Sequence, residues 1–282
     1  MNRMNIYHRR DGRWEGRISR GKTEEGKRKF QYILARTKEE VIQKITEIRK
    51  NEQQNEKCSQ TVAEIFSEWK RSIQYRVKES TAANYTMKAE KHILPIFGDK
   101  AITSLKADDI YSFIESKRKS GLSARYTADM VILLKIIFKY AVRIYHIFNP
   151  LDGIVLPKKK SPEILLLDDG EQKKLQQYIT QNENMDTLGV ALSMSTGIRI
   201  GELCALQWKD IDLEKRILTV RKTMQRIQCA DIRSKTKLII TEPKSESSRR
   251  KIPIPNCMMQ FLQKFSGNPG DYVLTGTKKA IE

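Results

Sequence analysis

Apolar positions alternate near the N-terminus and then fall into helical spacing. From Ile6 to Leu34 the chain runs through short alternating stretches separated by the turn signals Asp11-Gly12 and Gly21, which predicts strands over residues 5–9, 13–19 and 29–34. Val41, Ile42, Ile45 and Ile48 then recur at helical spacing over 38–50, so one helix can cover one face of a small sheet. The opposite face stays open to a ligand. Residues 51–60 are polar and aperiodic, as a linker would be.

A second block is helical throughout. Thr61-Val62-Ala63-Glu64 has the form of a capping box, and Ile65, Phe66, Trp69 and Ile73 continue one apolar face behind it. Another helix follows Ser80 and ends near Pro95 and Gly98. A third is predicted over 106–119, with Asp108 and Asp109 at its positive end and Gly121 as its stop. The fourth starts after Ser123 and carries Val131, Leu134, Ile137, Phe138 and Ala141. Four such helices make a compact bundle.

Asn149-Pro150 and Pro157-Lys158-Lys159-Lys160-Ser161-Pro162 interrupt the periodicity with concentrated positive charge. This suits a linker crossing a phosphate backbone, or equally a solubilising stretch. Asp168 or Asp169 then caps a helix through Ile179, and another spans 186–194. Residues 216–221, 238–241 and 251–254 read as strands, with the turn Glu242-Pro243-Lys244-Ser245-Glu246-Ser247-Ser248-Arg249-Arg250 between the last two.

Composition narrows the partner. The 282 residues hold 53 Lys and Arg against 34 Asp and Glu, a formal net charge of +19, which points to a polyanion. Residues 1–38 alone have 12 basic and 4 acidic residues, with Trp14, Phe30 and Tyr32 interleaved. A sheet lying in a DNA groove would use such a surface, and Arg9, Arg10, Arg13, Trp14, Arg17, Arg20, Lys29 and Tyr32 are its candidate contacts. The most apolar run, 131–138, is broken by Lys135 and is too short to cross a bilayer; the N-terminus has no signal-peptide core. No membrane association and a cytoplasmic location are therefore expected. Cys58, Cys204, Cys229 and Cys257 are scattered, without a CxxC pair or a nearby histidine, so neither structural zinc nor disulfides are expected.

The candidate chemistry lies in Ser195-Thr196-Gly197-Ile198-Arg199-Ile200-Gly201-Glu202-Leu203. Thr196-Gly197 breaks one helix and Arg199 opens the next, where free backbone N–H groups attract anions and a guanidinium fork can hold a phosphodiester in two places. Glu202, one turn on, can orient Arg199. As an isolated surface pair the two would contribute only ~0.2–0.5 kcal/mol and imply no catalysis.

This segment, with Leu206-Gln207-Trp208-Lys209-Asp210-Ile211-Asp212 in register behind it, resembles the first catalytic-arginine motif of tyrosine recombinases, the phage and conjugative-transposon integrases. Thr81-Ala82-Ala83-Asn84-Tyr85, Ile93-Leu94-Pro95-Ile96-Phe97-Gly98 and Ile102-Thr103-Ser104-Leu105 resemble landmarks of the family's core-binding domain, and the N-terminal block is similar to its arm-type DNA-binding domain. The resemblance implies an α+β multidomain protein. A small N-terminal three-stranded sheet plus helix (1–57) precedes a helical, SAM-like core-binding bundle (58–156). A partial mixed α/β catalytic domain of tyrosine-recombinase type (157–282) follows.

The implied reaction is a transesterification through a 3′-phosphotyrosyl link, without metal or other cofactor. Arg199 and, by position on a β-hairpin, Lys244 map onto catalytic residues, with Glu202 in support; Lys235, Lys237 and Lys251 lie off the matching turn. Lys88, Lys91, Arg125, Lys158, Lys159 and Lys160 are further candidate DNA contacts. The implied partners are double-stranded attachment-site DNA, further copies of the chain on that DNA, and an excisionase-type protein.

The pattern then departs from the family. The histidines are His8, His92 and His146, all ahead of Arg199, so the family's His-x-x-Arg motif and its second arginine are absent. Tyr272, the single later tyrosine, lies in a predicted short strand and is not expected to be the nucleophile. The chain is therefore expected to stop short of the remaining catalytic motifs and to bind DNA without cutting it, or to regulate a full-length integrase, or to be an inert truncated product. A metal-dependent nuclease would need clustered ligands; Asp108-Asp109 and Asp168-Asp169 are better explained as helix starts.

Overall fold

The computed structural model describes residues 5–22, 26–158, 163, 165–229, 235–243 and 248–280, with backbone alone at 20–22 and 51–57. The chain divides into two compact units, residues 1–78 with 85–160, and residues 161–282 with 79–84.

At the N-terminus β1 (Asn5–His8), β2 (Trp14–Lys22) and β3 (Arg28–Ala35) form an antiparallel sheet in the order β1-β2-β3. Pairs such as Asn5↔Arg17 and Arg17↔Tyr32 fix the register and send alternate residues to opposite faces. Ile18, Ile33 and Ala35 face α1 (Lys38–Lys57), whose Val41 and Ile45 are buried against them. Helix α1 continues through residues 51–57, where a linker is expected from the sequence. The stretch is aperiodic, but its Asn, Glu, Gln and Lys include good helix formers and neither Gly nor Pro to stop it.

The bundle begins with α2 (Val62–Ile73). Its capping box is formed: the Glu64 N–H donates to Thr61 Oγ1 at 3.2 Å and the Thr61 N–H to Glu64 Oε2 at 2.8 Å. Helix α3 (Glu79–Lys88) passes through a wider π turn at Ala89–Ile93 into α4 (Leu94–Phe97). The wider turn lets the helix run past Pro95, whose ring would otherwise strike the carbonyl four residues back. Helices α5 (Ala107–Lys119) and α6 (Ala124–Tyr145) complete the bundle, and Ser123 caps α6 by accepting from the Tyr126 N–H. Its core joins Phe66, Trp69, Ile93, Phe97, Phe113, Leu134 and Phe138.

The second unit is mixed α/β. Helices α7 (Asp169–Gln181), capped by Asp168, and α8 (Met185–Thr196) precede the single turn α9 (Ile200–Cys204). Strands β4 (Ile211–Asp212), β5 (Ile217–Val220), β6 (Thr223–Gln228), β7 (Thr236–Thr241) and β8 (Arg250–Pro253) follow, and then α10 (Asn256–Phe265). Strands β4, β5 and β8 make one antiparallel sheet in the order β4-β5-β8, while β6 and β7 form a separate hairpin. The core gathers Leu188, Leu192, Leu203, Leu218, Val220, Leu262 and Val273.

Among the described residues no helix is long and apolar enough to cross a membrane. The architecture expected from the sequence, a small sheet with a helix, a helical bundle and a mixed α/β region, is the one found.

Candidate functional site

Helix α8 ends at Gly197, whose φ of +63° puts it in the left-handed region that favours glycine, and the Gly197 N–H closes the helix on Ser193 O at 3.0 Å. Buried Ile198 then anchors the connection, and Arg199 follows in an extended conformation as the residue ahead of α9. Its side chain is 72% exposed.

Glu202 points the other way and is only 6% exposed. Four donors converge on its carboxylate. Arg199 Nη1 donates to Oε1 at 3.1 Å and the Arg199 N–H to Oε2 at 3.1 Å; Arg250 Nη1 donates to Oε1 at 3.0 Å and Arg250 Nη2 to Oε2 at 2.8 Å. Burial alone pushes this carboxyl up, but the hydrogen bonds from Arg250 and then Arg199 outweigh it and hold it below the ordinary glutamate range. Glu202 in turn pushes the Arg250 guanidinium up.

The sequence suggests an anion held by free backbone N–H groups at the start of a helix. That expectation needs correction: α9 has five residues, too few for an appreciable macrodipole, and Glu202 already occupies the Arg199 N–H. The Arg199 guanidinium itself stays exposed.

No local motif marks Arg250. It lies 48 residues from Glu202 and is brought to it by the β5–β8 pairing, in which Arg250 sits opposite Val220. Arg250 also lines a groove of about 440 Å³ with Arg221, Lys222, Arg249 and Lys251. Arg249 pairs with Glu242 at 2.8 Å and Arg221 with Asp210 at 3.3 Å. Cations thus outnumber the acidic groups on this surface.

Lys244 lies outside the described residues. The hairpin expected to present it is not formed as read: β7 pairs with β6 and β8 pairs with β5, so residues 242–249 connect two sheets. Strand β6 escaped the pattern because its buried residues, Met224 and Ile227, are three apart and do not alternate. The short strand expected around Tyr272 reduces to one bridge with Gln207, followed by a turn in which the Gly276 N–H donates to Tyr272 O.

On the N-terminal sheet the face away from α1 carries Tyr7, Arg17 and Tyr32, with the Arg17 guanidinium 4.7 Å from the Tyr7 ring centre and 5.5 Å from that of Tyr32. Glu15 lies on this face too, buried beneath Arg9 and Arg17, each at 2.7 Å. Hydrogen bonds from Arg17 and Arg9 hold its carboxyl below the usual range. Arg13 grips Asp11, which is held down at about 2. Arg10 is exposed in the β1–β2 turn. Trp14 alternates onto the other face, half-buried against the α1 core, and Lys29 falls on that side by the same alternation. The Arg20 side chain lies outside the description.

In the bundle Lys91 and Arg125 are exposed, as is Lys158 beyond it. Lys88 differs. Its side chain is 12% exposed, its ammonium is 3.2 Å from Asp129, and it lies 5.4 Å from the Tyr126 ring centre. Lys159 and Lys160 are outside the described residues.

Comparison with known proteins places two segments in family models. Residues 61–118 match the phage integrase N-terminal SAM-like domain, and residues 166–279 match the phage integrase family. A XerC-like tyrosine recombinase of Caldanaerobacter subterraneus is 32% identical over 178 residues, covering 60% of this chain and 45% of the relative. The integrase of Staphylococcus phage L54a is 28% identical over 247 residues, covering 79% of this chain and 67% of the relative. The chain therefore spans about half to two thirds of the length of such relatives.

Among solved structures, the Tn1549 transposon integrase in complex with a circular intermediate DNA matches with a TM-score of 0.62 at 23% identity, over 73% of this chain and 65% of that one. A lambda integrase dimer bound to a COC′ core site matches with a TM-score of 0.59 at 20% identity, over 99% of this chain and 76% of that one. At these identities the likeness is one of fold.

Proposed function

The chain belongs to the tyrosine-recombinase, or phage integrase, family, and from that we propose that it recognises double-stranded attachment-site DNA and grips a phosphodiester with Arg199. The observation that carries this reading is the exposed Arg199 guanidinium, anchored from beneath by a buried carboxylate and neighboured by a cationic groove. Arg199 contributes the fork, Glu202 its orientation, and Lys244 is the candidate proton donor to a departing 5′ oxygen. We assign residues 1–57 to arm-site DNA, 58–156 to core-site DNA and 157–282 to the catalytic fold. Self-association on DNA and an excisionase-type partner belong to the same proposal.

Within these 282 residues the transesterification lacks parts. No histidine follows His146 and no His-x-x-Arg is present in the sequence, and we read Tyr272, which sits in a backbone bridge and turn, as a structural residue and not the nucleophile. Two groups that stabilise phosphoryl charge are thus missing, and the chain binds DNA without cutting it. A nicked suicide duplex tests this: the expected result is a salt-sensitive complex that denaturant dissolves completely. A covalent protein–DNA adduct would overturn the binding-only reading, and undetectable DNA binding would overturn the proposal as a whole.

A further inference from the structure

The Glu202 carboxylate is saturated. An ionised carboxylate offers about four acceptor positions, and here each oxygen receives one donor from Arg199 and one from Arg250. Arg199 is 72% exposed, and Nη1 on Glu202 is the one contact that fixes its guanidinium among the described residues. Glu202 is itself buried, so the direction of Arg199 depends on how firmly Glu202 is held. Arg250 holds it with both terminal nitrogens, the planar two-point grip that lysine cannot reproduce.

Charge leads to the same residue. Arg199 and Glu202 alone form a neutral pair, and a phosphate approaching it would meet a guanidinium largely cancelled by the carboxylate behind it. Arg250 restores a net charge of +1 to the group while its side chain stays only 28% exposed. Its backbone is fixed in register opposite Val220, so the β5–β8 sheet braces the start of α9.

We propose that Arg250 is a positioning residue for phosphate binding, acting through Glu202 to aim the Arg199 guanidinium and to offset the carboxylate charge behind it. This rests on Arg199 being a phosphate contact.

The full 282-residue chain, labelled with 15N in its arginine side chains, provides the test. In the wild type the Arg199 guanidinium, assigned by its loss in Arg199→Gln, should show slowed rotation and should shift when a mixed-sequence duplex is added. In Arg250→Lys, which keeps charge and stem, and in Arg250→Met, the Arg199 signals should average. Affinity for a fluorescent duplex should weaken about 3- to 10-fold in Arg250→Met. The charge-keeping double variant Arg199→Gln/Arg250→Lys should bind no more weakly than Arg199→Gln, because no guanidinium is then left at position 199 to aim.

Arg199 signals that stay restricted in both Arg250 variants overturn the proposal, as do losses that multiply in the double variant. Arg250→Lys remains informative if Arg250→Met fails to fold. If instead the wild-type Arg199 signals ignore DNA while still averaging in Arg250→Lys, the phosphate reading of Arg199 fails and the mechanical link stands.

Discussion

Glu202 is buried at the centre of the site, and its ionised form is what the two arginines hold. Glu202→Gln keeps the shape but loses the charge and one pair of acceptor positions, so it should cost about 1–3 kcal/mol at neutral pH in urea unfolding. The pH dependence has a definite sign. Because the folded carboxyl ionises below its ordinary value of 4.5, its stabilisation is complete above that value and is lost as the pH falls through the lower folded value. The gap between wild type and variant should therefore be constant from neutrality down to about pH 4.5 and close below it; a gap that persists in acid would contradict the ion-pair account. Arg199 and Glu202 were legible in the sequence because three-residue spacing on a turn is a local fact. Arg250 was not, since its approach depends on which strand β8 joins.

Elements differ in legibility for the same reason. The capping box at Thr61 and Glu64 is a short-range agreement between side chain and backbone, and Thr61→Ala should lower stability by about 1 kcal/mol, read from the denaturant midpoint. Strand pairing is a long-range outcome. Nothing in Glu242-Pro243 announces that the strand before it turns back to β6 while the strand after it joins β5. The seam between α9 and β6 depends on Gly201, where a Cβ would lie 2.8 Å from both Met224 O and Thr223 Oγ1. Gly201→Ala must push a backbone carbonyl away, so a loss of about 1–3 kcal/mol is expected, together with averaged Arg199 side-chain signals as α9 shifts. A variant as stable as the wild type would show that the seam is looser than described.

Across the whole molecule, a net charge of +19 would make the proposed DNA binding a matter of counterion release, but formal charge overstates what a polyanion would meet. Lys88 counts as a cation in the composition, yet it spends its charge on Asp129 and the Tyr126 ring inside the bundle. Arg17 also has a carboxylate partner, but it stays 41% exposed between Tyr7 and Tyr32, aimed outward by the buried Glu15. Salt titrations of duplex binding separate the two. For a protein making about six to ten phosphate contacts the affinity falls by roughly 10³–10⁵ between about 50 and 200 mM salt, and a steep fall of this kind is expected for the wild type. Arg17→Gln should reduce the log–log slope by about 0.9, the share of one phosphate, and leave the bundle's stability unchanged. Lys88→Gln should leave the slope intact while lowering stability, because its charge is already satisfied within the protein. The reverse pattern, a slope lost with Lys88 and kept without Arg17, would place the DNA on a different surface from the one the sheet's open face defines.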